Sequence, residues 1–122
     1  MSYRDLANEN WATADGALDA GFVNAAASRY YYAMFHAALH RYGAMAQVAP
    51  EVLQGMRTPG GWDHRRVAAR ASAIRGVAAD RWLLREMRQV RNDADYEEVG
   101  IDPARLRGRL EAVRRFLEAA LA

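Results

Sequence analysis

SRYYYAMFHAALHRY, Ser28 to Tyr42, decides the fold, and RNDADY, Arg91 to Tyr96, supplies its polar counterpart. No proline interrupts Phe22 to Tyr42, and Gly21 and Gly43 bracket it. The spacing therefore predicts one helix of about 21 residues, with Gly21 ending the preceding helix in a left-handed cap. At about 100° per residue this helix is apolar on nearly every side, as a central helix touched by several neighbours should be. Tyr31, Met34, Ala38 and Tyr42 form one broad packing face. The other side mixes Ala25 and Ala33 with Arg29, Tyr32, His36 and His40. One side is core; the other is something else.

The rest of the chain fits around such a helix. Ser2 and Asp5 resemble a capping box for a first helix from Tyr3 to Ala20, with Tyr3, Ala7, Trp11, Ala14 and Leu18 in one stripe. Joined at Gly21, these two helices should form an antiparallel hairpin. Gly43 to Trp62 reads as irregular, with a short helical turn from Pro50 through Gln54 and a loop at the TPGG of Thr58 to Gly61. Asp63 caps a third helix to Arg75, with Val67, Ala71 and Ile74 inward, and Gly76 stops it. A fourth starts near Asp80 and turns Leu83, Met87, Val90 and Ala94 inward, flanked by Trp82. Asp102 and Pro103 open the last, whose stripe is Leu106, Leu110, Val113, Leu117 and Leu121. Arg105, Arg109 and Arg115 fall off that stripe and read as solvated. No segment alternates with period two, so no sheet is expected. The expected fold is all-α: a single-domain, up-down bundle of about five helices over residues 1–122.

Composition narrows the chemistry. Cysteine is absent, which excludes disulfides, thiolate catalysis and cysteine-based zinc sites. No apolar run approaches the roughly 18 residues of a membrane span, and no charged-then-apolar leader opens the sequence, so a cytoplasmic protein without a membrane partner is expected. All 17 basic residues are Arg, against 15 acids, for a net charge of +2. Arg-only usage fits a GC-rich coding sequence, and it also fits phosphate recognition, for which the guanidinium fork is better shaped than an ammonium. Composition does not separate the two.

Two constellations stand out. His36 and His40 lie at i and i+4, a spacing that lets two imidazoles share a metal, with His64 or a carboxylate as a third ligand. No HExxH motif is present, and the pair reads better as satisfied polar side chains or nucleic-acid contacts, so no metal and no cofactor are expected. In the second constellation Arg88, Arg91, Asn92, Asp95 and Tyr96 gather within two turns beside an apolar stripe. Arg91 and Asp95 can pair across one turn. Asp95, Glu97 and Glu98 oppose the helix dipole, so the helix should end there. Arg81, Arg85 and Arg88 form an i, i+4, i+7 ladder: an anion-binding edge, or simply a solvated face.

SRYYYAMFHAALHRYG, followed about fifty residues later by LREMRQVRNDADY, resembles the HEPN superfamily of small prokaryotic helical bundles. The first stretch is similar to that family's YYAxFxAA helix and the second to the helix carrying its functional Arg-Asn, so the likeness spans almost the whole chain. The resemblance implies a homodimer in which two copies of an Arg, four to six residues, then His motif meet in one cleft and cut RNA without metal. It also implies a toxin–antitoxin or defence setting, in which a nucleotidyltransferase partner serves as antitoxin and in some pairs adenylylates a tyrosine just after the motif. Arg91 and Asn92 match the motif's start. The motif His does not carry over, because Asp95, Tyr96, Glu97 and Glu98 follow. The chain instead resembles the branch ending in Ala-Asp-Tyr, with Asp95 in the motif and Tyr96 where the modified tyrosine lies.

Two functions follow from the resemblance. In one the chain binds RNA through Arg88 and Arg91 and cleaves it weakly without metal, using Arg91, Asn92 and a histidine from outside the motif. His36, which shares a helix face with Arg29, is the first choice, with His40 and His64 behind it. In the other the chain is a non-catalytic module that dimerises and docks a nucleotidyltransferase or another protein. Tyr32 and Trp82 on so small a bundle argue for a two-fold dimer that includes the Arg91 region.

Overall fold

The computed structural model describes residues 1–45, 48–74, 82–96 and 100–122. Helix α2, Val23–Ala44, buries side chains around most of its circumference, among them Tyr30, Tyr31, Met34, Phe35, Leu39 and Tyr42. It packs on α1 (Tyr3–Asp19), α5 (Leu83–Tyr96) and α7 (Leu110–Leu121). Three short helices complete the bundle: α3 (Pro50–Gln54), α4 (His64–Ala69) and α6 (Pro103–Arg107). The all-α bundle is as the sequence predicts, with seven α-helices among the described residues rather than about five.

The α1–α2 turn follows from Gly21, whose φ of +83° is strained for any residue with a Cβ. Gly21 N–H donates to the Leu18 carbonyl (3.0 Å) and Phe22 N–H to Ala17 (2.8 Å), the two bonds of a Schellman motif. The helices then run antiparallel: Asn10 reaches His36, and Asp15 accepts a short bond from the Tyr30 hydroxyl. Ser2 and Asp5 close a full capping box at the start of α1.

Four expectations need correction. Helix α2 passes through Gly43 to Ala44 and ends where Met45 turns extended, since glycine permits a left-handed cap without requiring one. The third predicted helix is shorter: α4 closes at Ala69, and a 3₁₀ turn over Ala71–Ala73 carries Ala71 and Ile74 into the core. The last predicted helix is two, because the chain tightens at Gly108 and Arg109 N–H donates to Leu106, three residues back. Finally, Arg57–Thr58 and Gly61–Trp62 form a two-residue antiparallel ladder, the β-hairpin β1–β2, with Pro59 and Gly60 as its turn. Gly76, the predicted helix start near Asp80, Arg81, Glu97 and Glu98 lie outside the described residues.

The predicted stripes are otherwise the core. Val67 and Ile74, then Leu83, Met87, Val90 and Ala94, then Leu106, Val113, Leu117 and Leu121 are buried, joined by Leu84, Phe116 and Ala120. Three buried tyrosines on α2 bring hydroxyls into this core, and each finds a partner: Tyr30 with Asp15, Tyr42 with the Val67 carbonyl and Tyr31 with His64. The last of these ties the core to the polar side of α2.

Candidate functional site

Helix α4 is placed by its cap. The Asp63 carboxylate accepts from Arg65 N–H (3.0 Å) and Arg66 N–H (3.2 Å), a contribution of about 1 kcal/mol at such caps. That fixes His64 as the first helical residue and Arg65 as the second. The His64 ring stacks on Phe35 at 4.4 Å between centroids, and its Nδ1 lies 2.5 Å from the Tyr31 hydroxyl. Burial lowers the His64 pKa, and the nearby charges of Arg88 and Arg91 lower it further against a small opposing pull from Asp63. At neutral pH the ring is a neutral imidazole. Burial likewise holds the Tyr31 hydroxyl protonated, well above the ordinary phenol range.

Arg88 and Arg91 reach this spot from the flank of α5. The apolar face of that helix faces the core, which leaves Arg88 and Arg91 half-buried at its edge and Arg85 and Gln89 outside. The Arg91 guanidinium lies 5.2 Å from the centre of the Tyr32 ring, and its Nη1 donates to Asn92 Oδ1 (3.1 Å). Arg91 Nε sits 3.0 Å from Asp95 Oδ2, the pair the sequence predicts. The N–H is not aligned on that oxygen, so the contact is an ion pair and the buried Nε donor stays unsatisfied, as does Nε of Arg88. Such donors cost about 1–3 kcal/mol each.

Beside them lies a cleft of about 530 Å³ lined by Arg65, Arg85, Arg88, Gln89 and Asn92. None of its three arginines forms an ion pair among the described residues. Gln89 is steadied by Asp93 at 2.8 Å, and Arg85 lies over the Trp82 ring at 5.1 Å. The cleft is therefore a concentrated positive field with planar donors, suited to an anion with several oxygens.

The sequence-derived residues divide by place. Arg88 and Asn92 line the cleft, while Arg91 and Asp95 lie on the same helix outside its lining. Tyr96 is 79 % exposed at the end of α5, and Trp82 is 53 % exposed at the other end. His36 lies on the far side of Tyr32, its ring between Tyr3 and Tyr32. Asn10 Oδ1 accepts from Arg29 (3.3 Å), which turns the Asn10 amide nitrogen toward His36 Nδ1 at 3.4 Å. Burial lowers the pKa of this ring too, against a smaller opposing pull from its bond to the Tyr32 backbone. His40 belongs to another neighbourhood, where burial, Arg4 and Arg41 lower it. Arg4 donates to the Leu121 carbonyl (2.9 Å) and Arg41 to the Ala122 oxygen (3.5 Å). Among the described residues no three His, Cys, Asp or Glu side chains gather to hold a metal, and no helix is long and apolar enough to cross a membrane.

Sequence reasoning missed Arg65 as a lining residue and Tyr31 as the partner of His64. The signal for Arg65 was present: an Asp63 cap dictates where His64 and Arg65 start the helix. No family model, curated protein or solved structure matches the chain.

Proposed function

We propose that this chain is a HEPN-type RNA-binding protein of a prokaryotic toxin–antitoxin or defence module, acting as a homodimer and cleaving RNA weakly without metal. The observation that carries the reading is the cleft with three arginines that lack a carboxylate partner among the described residues, beside a neutral histidine. RNA phosphates supply the missing negative charge. Arg88 and Arg91 steady the phosphate as charge builds, and His64 moves the proton. In the tautomer that donates Nδ1–H to the Tyr31 hydroxyl, Nε2 carries the lone pair that takes the proton of a ribose 2′-hydroxyl. The O2′–P bond forms, the P–O5′ bond breaks, and the imidazolium returns its proton to the departing 5′ oxygen. His64 takes this role in place of His36 because Arg88 and Arg91 lie close enough to lower its pKa, whereas His36 is shifted by burial and its own Tyr32 backbone bond alone.

The test is a labelled single-stranded RNA incubated with EDTA and with the parent, Arg91→Ala, His36→Ala or His64→Ala. Cleavage by the parent and by His36→Ala, lost in Arg91→Ala and His64→Ala, is the expected pattern. Cleavage that survives all three substitutions points to a contaminant or another site. Light scattering at micromolar concentration should give a dimer, and a monomer would remove the two-fold cleft from the proposal.

A second reading keeps the dimer and drops the chemistry. In it the chain docks a nucleotidyltransferase antitoxin, which modifies Tyr96. The exposure of Tyr96 at the end of α5 favours it, as does the lack of a histidine after Arg91 in the motif. A stable complex with a nucleotidyltransferase, together with no cleavage by the parent, would decide for this module.

A further inference from the structure

We infer that the aromatic ladder leading away from Arg91 toward the β-hairpin is a stacking platform for the unpaired bases of the strand whose phosphates occupy the arginine cleft. The inference rests on the RNA reading above and adds to it where the bases lie and that they are unpaired. The ladder begins where the Arg91 guanidinium covers the Tyr32 ring at 5.2 Å. Tyr32 stacks toward His36 (6.2 Å, 29° between planes), and His36 toward Tyr3 (6.1 Å, 14°). Tyr3 meets Trp62 edge-on at 6.1 Å, and the Arg57 guanidinium closes the series 4.6 Å from the Trp62 ring centre. All four rings are only partly buried, although the apolar core lies directly beneath them.

Three features fit bases better than an apolar partner. The rings come from three separate segments, α1, α2 and β2, yet make one continuous series with a guanidinium at each end. The Tyr3 and Tyr32 hydroxyls and the Trp62 indole N–H give the series polar edges that an apolar helix would leave unsatisfied but a base can meet. The series also starts next to the arginine cleft along the chain, since Arg91 over Tyr32 sits on α5 between the lining residues Arg88 and Asn92. Flat aromatic faces next to a basic groove are how proteins hold single strands without reading sequence.

The experiment compares, by fluorescence anisotropy, a short unpaired RNA, an abasic strand of equal length and a duplex of the same sequence. Stacking of even one base predicts that the base-bearing strand binds about fivefold or more tighter than the abasic one, with the duplex weaker than the unpaired strand. Trp62→Leu should lower affinity for the base-bearing strand and leave the abasic strand unchanged, and Trp62→Phe should restore most of the difference. Equal binding of base-bearing and abasic strands overturns the platform. So does a Trp62→Leu variant that weakens both alike, because the ring then serves only to hold the hairpin. If strands bind equally and Arg88→Ala abolishes binding, the RNA reading survives without the platform. If no strand binds, both fall.

Discussion

Two sets of arginines meet solvent on this bundle, and they are built differently. Arg105, Arg109 and Arg115 lie off the stripe of the last two helices and pair with acids: Asp93 at 2.6 Å, Glu86 at 2.6 Å and Glu111 at 3.7 Å. Arg65, Arg85 and Arg88 line one cleft and have no carboxylate partner among the described residues. Helix α5 displays both arrangements. Its Glu86 and Asp93 flank turns toward the C-terminal helices, and its Arg88 flank turns toward α4. Among the described residues, a chain with a net charge of only +2 thus pairs one set of arginines with acids and leaves the other set without carboxylate partners. Like charges held together destabilise the free protein, and a ligand that supplies the opposite charge reverses the sign.

The largest expected effect lies beneath the cleft. Tyr31 is buried and holds His64, so Tyr31→Ala should cost about 3–5 kcal/mol in denaturant unfolding, as large aromatic truncations do. A cost below about 1 kcal/mol would mean that the cleft does not rest on this residue.

The second effect is acid sensitivity. The folded pKa of His64 is below its ordinary value of 6.5, so below that pH the unfolded chain takes up the proton more readily than the folded one. Stability should hold above pH 6.5 and fall as the pH drops through and below it. His36 and His40 shift the same way and add to the fall. Melting temperatures followed from neutral to mildly acidic pH should decline less steeply in His64→Gln than in the parent. An equal slope would place the His64 ring in water.

The smallest effect separates the two arginine sets in the free protein. Arg105→Ala and Arg109→Ala should each lower stability by about 0.2–1 kcal/mol, the range of exposed pairs. Arg65→Ala and Arg85→Ala should leave stability unchanged or raise it slightly by relieving repulsion. A loss on the cleft side equal to that on the paired side would erase the distinction.

How far this could be read from sequence depended on the kind of signal. Apolar periodicity located α1, α2 and the buried stripe of α5, because burial is a one-dimensional pattern on a helix. Asp63 and Asp102 located helix starts, because a cap acts on residues two or three away. The break at Gly108 was not legible: one glycine inside a continuing stripe does not announce a tightened turn. The division of the arginines was equally hidden. The Arg91–Asp95 pair is an i, i+4 contact and could be foreseen, whereas the partners of Arg105 and Arg109 lie on α5, over ten residues away. His36 looked the better proton carrier because Arg29 shares its helix face. In three dimensions Asn10 stands between that arginine and that ring, and α4 brings His64 to Arg88 and Arg91 instead.

The most direct test of the account is the salt dependence of RNA binding, measured for the parent and for two triple variants. One removes the cleft arginines (Arg65, Arg85 and Arg88 to Ala), and the other removes the paired ones (Arg105, Arg109 and Arg115 to Ala). Each phosphate contact on a single strand contributes about 0.7 to the slope of log affinity against log salt, so losing three should flatten it by about 2. That flattening is expected in the cleft variant, and the parent's slope in the paired variant. An unchanged slope in the cleft variant, or the same flattening in both, would contradict it.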